Sequence, residues 1–161
     1  MKIVITSGYY DPLHIGHIRC FEAAKLLGDY HIAIVNNDKQ AELKKGKPFM
    51  PQNERLEIVK ALRCVDEAVL SIDENRTQNA TLEMLANLYK GNEILFAKGG
   101  DYDGTIIKCA EEEICRKYSI EIFYNVGGEK IQSSSWLVKG WTNPTLVDQD
   151  NEEDKYSEKH K

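Results

Sequence analysis

The chain has 161 residues, enough for one domain with a real core and no need of disulfide or metal staples. A hydrophobic share of 42% and a charged share of 29% describe an ordinary globular protein, and a net charge of −5 excludes a general nucleic-acid binder, which needs a basic face. With no apolar run of spanning length and no signal peptide, the expected partners include neither nucleic acid nor membrane. The four cysteines, Cys20, Cys64, Cys109 and Cys115, form no CxxC pair. Three of them fall in helical patterns, so reduced and mostly buried thiols in the cytoplasm are expected.

Strand and helix patterns alternate along the chain. Lys2–Thr6 is a short β-rich run, followed by a helix over His14–Leu27 with apolar residues at Ile15, Ile18, Phe21, Ala24 and Leu27. Gly28-Asp29 closes it. Tyr30–Val35 is the second strand, and Asn36-Asn37-Asp38 ends it. A lysine-rich stretch (Lys39, Lys44, Lys45, Lys47) reads as a loop up to Pro48 and Pro51. Gln52–Arg63 reads as a helix with Leu56, Val59 and Leu62 inward, Asp66–Ile72 as a strand and Thr77–Lys90 as a helix ended by Gly91-Asn92. Glu93–Ala97 and Ile120–Tyr124 are the last strands, Thr105–Tyr118 the helix between them, and Ser133–Lys139 a short final helix. The expected fold is α/β: a Rossmann-like, doubly wound, five-stranded parallel sheet with helices on both faces. Residues 1–141 form this domain, and the acidic residues 142–161, with little to bury, are expected to be a disordered tail.

The polar and glycine-rich segments are unevenly placed. Ser7–His17, Asn36–Asp38, Lys98–Asp101 and Gly127–Ser135 each follow a predicted strand. They therefore gather at the carboxyl edge of a parallel sheet, where such folds bind ligands. The densest of them is Ser7-Gly8-Tyr9-Tyr10-Asp11-Pro12-Leu13-His14-Ile15-Gly16-His17. Gly8 allows a sharp turn or a close approach, and Pro12 keeps Asp11 out of helical geometry. His14 and His17, three apart, share one face of the first helical turn, beside unpaired backbone N–H groups and the positive end of the helix dipole. That is an anion site, and the chemistry it suggests is handling of a triphosphate. Two imidazoles do not fill a tetrahedral zinc shell, and no cysteine pair lies nearby at ligand spacing, so no protein-held metal is expected.

Three motifs recur in order: Gly8…Asp11…His14-x-Gly16-His17, then Asn53-Glu54-Arg55 with Arg63-x-Val65-Asp66, then Ser133-Ser134-Ser135. On these the chain resembles, from Lys2 to about Trp141, the HxGH nucleotidyltransferases of the cytidylyltransferase superfamily. That group includes the adenylyltransferase domain of ADP-heptose synthase, glycerol-3-phosphate cytidylyltransferase, phosphopantetheine adenylyltransferase and archaeal FAD synthetases. The family usually shows Ser-Thr-Thr or Ser-Thr-Ser at the third motif, so three serines keep the hydroxyls and not the identity. The HIGH tetrapeptide also occurs in class I aminoacyl-tRNA synthetases, but no KMSKS-like segment follows it.

The resemblance implies attack by an acceptor's phosphate oxygen on the α-phosphorus of ATP or CTP, releasing pyrophosphate, with Mg²⁺ accompanying the triphosphate. His14, His17, Lys44 and Arg55 would be the catalytic group, donating to phosphate oxygens. Ser7, Gly8, Tyr9, Gly16, Gly99, Asp101, Ser133, Ser134 and Ser135 would bind the nucleotide, Gly16 by leaving no side chain in its way. Asp11, Asp38, Lys98 and Arg63 would meet a phosphorylated small-molecule acceptor, with holding the histidine loop as the other role open to Asp11. Lys98-Gly99-Gly100-Asp101-Tyr102 resembles the ADP-heptose synthase branch more than the glycerol-phosphate branch, so adenylyl transfer to a sugar phosphate is the first expectation. A glycerol-3-phosphate-type cytidylyltransferase and a non-catalytic nucleotide-binding module are the alternatives. A homodimer is the assembly the resemblance implies.

Overall fold

A computed structural model describes residues 1–99 and 109–142 of the chain. The described elements are β1 (Lys2–Gly8), α1 (Ile15–Lys25), β2 (Tyr30–Val35), α2 (Asp38–Lys45), α3 (Gln52–Lys60), β3 (Glu67–Leu70), α4 (Asn79–Leu88), β4 (Glu93–Ala97), α5 (Glu112–Lys117), β5 (Glu121–Phe123) and α6 (Ser134–Thr142). The strands form one sheet in the order β3-β2-β1-β4-β5. Every neighbouring pair is parallel. Chain order reverses between β1 and β4, so the carboxyl end of β1 opens on the crevice of the fold.

Alternation along each strand explains the two covered faces. Ile3 and Ile5, Ile32 and Ile34, and Phe96 turn to the side where α4 brings Leu82 and Leu85 and α5 brings Cys115. Ala33 and Val35 turn to the other side, against Phe21 of α1 and Val59 of α3. Val4, Leu95 and Ala97 join them there against Ala24. A strand buried on both faces must be apolar at nearly every position, which is why β1 and β2 read as continuous runs.

The expected fold class is present, with shifted boundaries. The lysine-rich stretch is a helix, not a loop. Asn37 caps it by accepting from the Gln40 backbone N–H while the Gln40 side chain accepts from the Asn37 N–H, and Gly46 ends it at φ +89°. An Asn followed three residues later by Gln, then a Gly after the lysines, was the available signal. Helix α3 stops at Lys60, not Arg63, and α6 runs on to Thr142. Of the expected helix Thr105–Tyr118, the described residues begin at Cys109 and are helical over Glu112–Lys117. Cys109 and Cys115 are buried free thiols, whereas Cys20 and Cys64 are half-buried. Among the described residues no helix is long and apolar enough to cross a membrane.

Candidate active site

The segment between β1 and α1 is held by its own polar groups. His14 is the N-cap of α1, with extended backbone at φ −143°. Its Nδ1 accepts from the Gly16 N–H at 3.0 Å, and the His17 Nδ1 accepts from the His14 N–H at 3.1 Å. Two histidines thus do the work usually given to serine and glutamate in a capping box. A ring nitrogen that accepts carries no proton, so each neutral imidazole carries its proton on Nε2. The rings stack at 3.7 Å between centroids. Neither Nε2 has a partner among the described residues.

Electrostatics keeps both rings neutral. Burial, then the Lys130 ammonium, lowers the pKa of His14 below the ordinary 6.5. Burial, then His14 and Lys44, pushes His17 down to about 3. At neutral pH the site therefore presents two uncharged Nε2–H donors flanked by ammonium groups. Lys44 Nζ lies 4.4 Å from the centre of the Tyr9 ring, and Lys130 Nζ lies 5.1 Å from the centre of the Trp136 ring. Sequence reading missed Lys130, whose position just ahead of the serine motif was the only signal for it.

The two glycines have reasons in the protein itself. A Cβ at Gly16 would lie 2.9 Å from His14 Cε1, so Gly16 makes room for the capping imidazole. A Cβ at Gly8 would lie 2.7 Å from the Tyr10 ring. Tyr10 is buried at φ 52° and meets His17 edge-on, with centroids 4.9 Å apart. It also packs edge-on against Phe21, so the His17 ring rests on the core.

Arg55 and Asp11 are both held inside the protein. Arg55 is fully buried. It donates Nε–H to Met50 O, Nη1–H to Tyr9 O and Asn36 O, and Nη2–H to Asp38 Oδ1 at 2.8 Å. Its planar donors are committed to three backbone segments, so Arg55 ties the histidine loop to the β2 and α3 ends and does not face a triphosphate. Asp11 is equally buried, accepting from the Phe49 and Met50 N–H groups and pairing with Lys45. It anchors the loop, one of the two roles open to it from the sequence. Arg63 is the clearest correction. It is exposed in the turn leading into β3, at the amino edge of the sheet and away from the histidines, because the helix that crosses between two parallel strands returns the chain to that edge.

The remaining expected residues lie at the carboxyl edge. Ser7 and Gly8 end β1, and Tyr9 follows them. Asp38 opens α2 and is partly exposed beside Arg55. Ser134 Oγ donates to Pro12 O at 2.7 Å, tying α6 to the histidine loop, and Ser133 Oγ lies 2.8 Å from Ser135 Oγ. Lys98, after β4, has its Nζ 4.0 Å from the buried Glu111 carboxylate. A Cβ at Gly99 would meet nothing within 4 Å. Asp101 lies outside the described residues, as do Gly100, Tyr102 and residues 143–161. No three His, Cys, Asp or Glu side chains cluster as a metal cage among the described residues.

A doubly wound parallel sheet whose carboxyl edge gathers neutral imidazole donors, lysines and a serine-rich helix start defines a nucleotide-binding α/β protein. More narrowly, the chain belongs to the cytidylyltransferase-like family, whose model matches residues 5–147. It is 45% identical over 75 residues to a FAD synthase of Ferroglobus placidus, covering 47% of this chain and 49% of that one. It is 34% identical over 142 residues to the bifunctional protein HldE of Citrifermentans bemidjiense, covering 83% of this chain and 28% of that one. The matched region thus spans about half or less of these relatives. Among solved structures, a lipopolysaccharide core biosynthesis protein from Thermoplasma volcanium aligns with a TM-score of 0.62 at 25% identity, over 81% of this chain and 99% of that one.

Proposed function

We propose that the protein transfers a nucleotidyl group from a nucleoside triphosphate to a phosphorylated small molecule. The observation that supports this most is the pair of neutral imidazoles at the start of α1, each with its Nε2–H unpaired among the described residues. A phosphate oxygen of the acceptor attacks the α-phosphorus, the bond from that phosphorus to the bridging oxygen breaks, and pyrophosphate leaves. The acceptor is already an anion, so no general base is needed. The protein's contribution is positioning and stabilisation of developing charge.

In this reading His14 and His17 donate to α-phosphoryl and leaving-group oxygens, and Lys44 and Lys130 balance the triphosphate charge. Gly8, Tyr9 and Gly16 line the path of the nucleotide, Ser133–Ser135 receive its outer phosphates, and Gly99 with Asp101 receives base or ribose. Asp38 and Lys98 face the acceptor. The substrate is the Mg²⁺ complex of the triphosphate, since the nearby Asp11 carboxylate is occupied by Lys45 and two backbone N–H groups. Mg²⁺ held by phosphate oxygens and water is its usual mode.

Adenylyl transfer is the preferred reaction. Its support is the relative named FAD synthase, because FAD contains an adenylyl group. A sugar phosphate or polyol phosphate is the preferred acceptor, and a cytidylyl transfer of the glycerol-phosphate type is the alternative. The proposed assembly is a homodimer, with exposed Leu43, Ile58 and Leu88 on the middle helices as apolar surface. A matrix of the four nucleoside triphosphates against sugar phosphates, polyol phosphates and FMN, read by pyrophosphate release, tests the reading. Release with ATP and one acceptor class is expected. No release in any cell of the matrix, with Mg²⁺ present, would overturn it.

A further inference from the structure

Beside the histidine loop lies a second buried polar cluster, with two acceptor atoms that the protein leaves unpaired. Gln78, just before α4, is only 2% exposed. Its Nε2–H donates to Asn36 Oδ1 at 2.8 Å, and its backbone N–H donates to Glu111 Oε1 at 3.1 Å. Its Oε1 is buried with no hydrogen-bond partner, and the same holds for Oδ1 of the neighbouring Asn79. A buried amide oxygen without a donor is costly, and native structures rarely keep one without a use. Here two adjacent residues keep one each. Gln78 cannot simply turn away, because its other polar groups are bound.

The location of the cluster gives these atoms a role. Asn36 follows β2, Gln78 and Asn79 follow β3, Lys98 follows β4 and Glu111 precedes α5, so all sit at the carboxyl edge with the histidines. The connection to the histidine loop is direct. Arg55 Nη1–H donates to both Tyr9 O and Asn36 O, and Asn36 in turn accepts from Gln78. The orphaned carbonyl oxygens thus belong to the same sheet edge, and through Arg55 to the same scaffold, as the histidines. Such oxygens match hydroxyl or N–H donors and are mismatched to further phosphate oxygens or apolar carbon.

We propose that Gln78 and Asn79 form the acceptor-recognition site, their free carbonyl oxygens receiving hydroxyl groups that lie a few bonds from the acceptor's phosphate. The ligand class is a phosphate monoester on a polyhydroxylated chain. Glycerol phosphate, sugar phosphates and the ribityl phosphate arm of FMN all share that chemistry. The inference rests on the nucleotidyl-transfer reading and names the feature by which that site selects its substrate.

The test compares glycerol 3-phosphate, ribitol 5-phosphate and FMN with propyl phosphate, which lacks the hydroxyls, on the full chain. With wild type, KM for at least one hydroxylated phosphate should lie about tenfold or more below that for propyl phosphate, and the three arms identify the source. Gln78→Met should erase that preference while leaving kcat and the affinity for the triphosphate within about threefold. Asn79→Ala, at a less buried position, carries the same expectation should Gln78→Met not fold. Wild type that treats propyl phosphate and all three hydroxylated phosphates alike, or variants that keep the preference, would overturn the proposal. Failure of the underlying reading looks different, as no pyrophosphate with any acceptor. In that case calorimetry of the same phosphates on protein loaded with a non-hydrolysable triphosphate still decides whether Gln78 selects hydroxyls.

Discussion

The two edges of the sheet treat polar groups in opposite ways. At the amino edge they satisfy one another. Lys25 pairs with Asp66, whose carboxylate also accepts from the His31 N–H, and Tyr30 and Tyr89 both donate to Glu67. His31 shows this at a single ring. Its Nδ1 faces Cys64 O at 2.6 Å and therefore donates, while Nε2 accepts from Thr6 Oγ1 at 2.8 Å. At the carboxyl edge the scaffold is equally well bonded, but among the described residues donors and acceptors are left over: Nε2–H of His14 and His17, and the oxygens of Gln78 and Asn79. The lesson concerns residual hydrogen-bonding capacity. Histidines with both ring nitrogens satisfied hold the fold, and histidines with one nitrogen left over are available for chemistry.

The largest effect should come from cutting the scaffold beneath the carboxyl edge. Arg55→Ala leaves the carbonyls of Tyr9, Asn36 and Met50 without their donor and Asp38 without its guanidinium partner, and with each unsatisfied buried group costing about 1–3 kcal/mol the loss should reach about 3–5 kcal/mol. Urea unfolding should show that loss, whereas Arg63→Ala at the exposed amino-edge turn should stay within about 0.5 kcal/mol and keep full turnover. Equal and small effects of the two changes would erase the contrast between a latch and a surface arginine.

Replacing His14 or His17 with alanine should lower turnover by roughly 10²–10³, the scale of losing one preorganised donor, with a much smaller change in triphosphate affinity. His17→Asn should keep part of the rate, because an amide still donates. Gly16→Ala reaches the same centre indirectly by pushing on the His14 ring, and a loss of roughly tenfold to a hundredfold is expected from the displacement. Wild-type rates in both alanine variants would remove the histidines from the reaction.

The smallest effect is on stability against pH. Burial is the leading cause that lowers His14, His17 and His31 below the ordinary 6.5, His17 to about 3. The unfolded chain then binds protons that the folded chain refuses, so stability is full above about pH 6.5 and falls as pH drops toward the folded values. The urea midpoint should decline between pH 6.5 and 5, and His31→Gln should flatten part of that slope. A midpoint that rises on acidification would contradict neutral, buried rings.

Much of this was legible in the sequence because it follows from periodicity and topology. Five strands, two covered faces and the gathering of odd segments at one edge all came from alternation and chain order. Tyr30–Val35 and Glu93–Ala97 match to the residue. Three-dimensional accounting was not legible. Glu54-Arg55 marks a position and not whether the guanidinium faces outward, and only the carbonyls of Tyr9, Asn36 and Met50 show that it is consumed internally. Arg63 was misassigned because the motif outweighed the topology: the residue between a crossover helix and the next parallel strand lies at the amino edge wherever that helix ends. Gln78 carries no motif at all, since an unpaired oxygen is visible only once every neighbour is placed.

The tautomers of the three described histidines test the central claim most directly. Two-bond proton–nitrogen correlation spectra of the imidazoles at pH 7.5 should show His14 and His17 neutral with the proton on Nε2, and His31 neutral with the proton on Nδ1. Addition of a non-hydrolysable Mg²⁺–ATP analogue should shift the first two rings and leave His31 in place. Imidazolium or Nδ1–H forms at His14 and His17, or rings that ignore the nucleotide, would contradict the account.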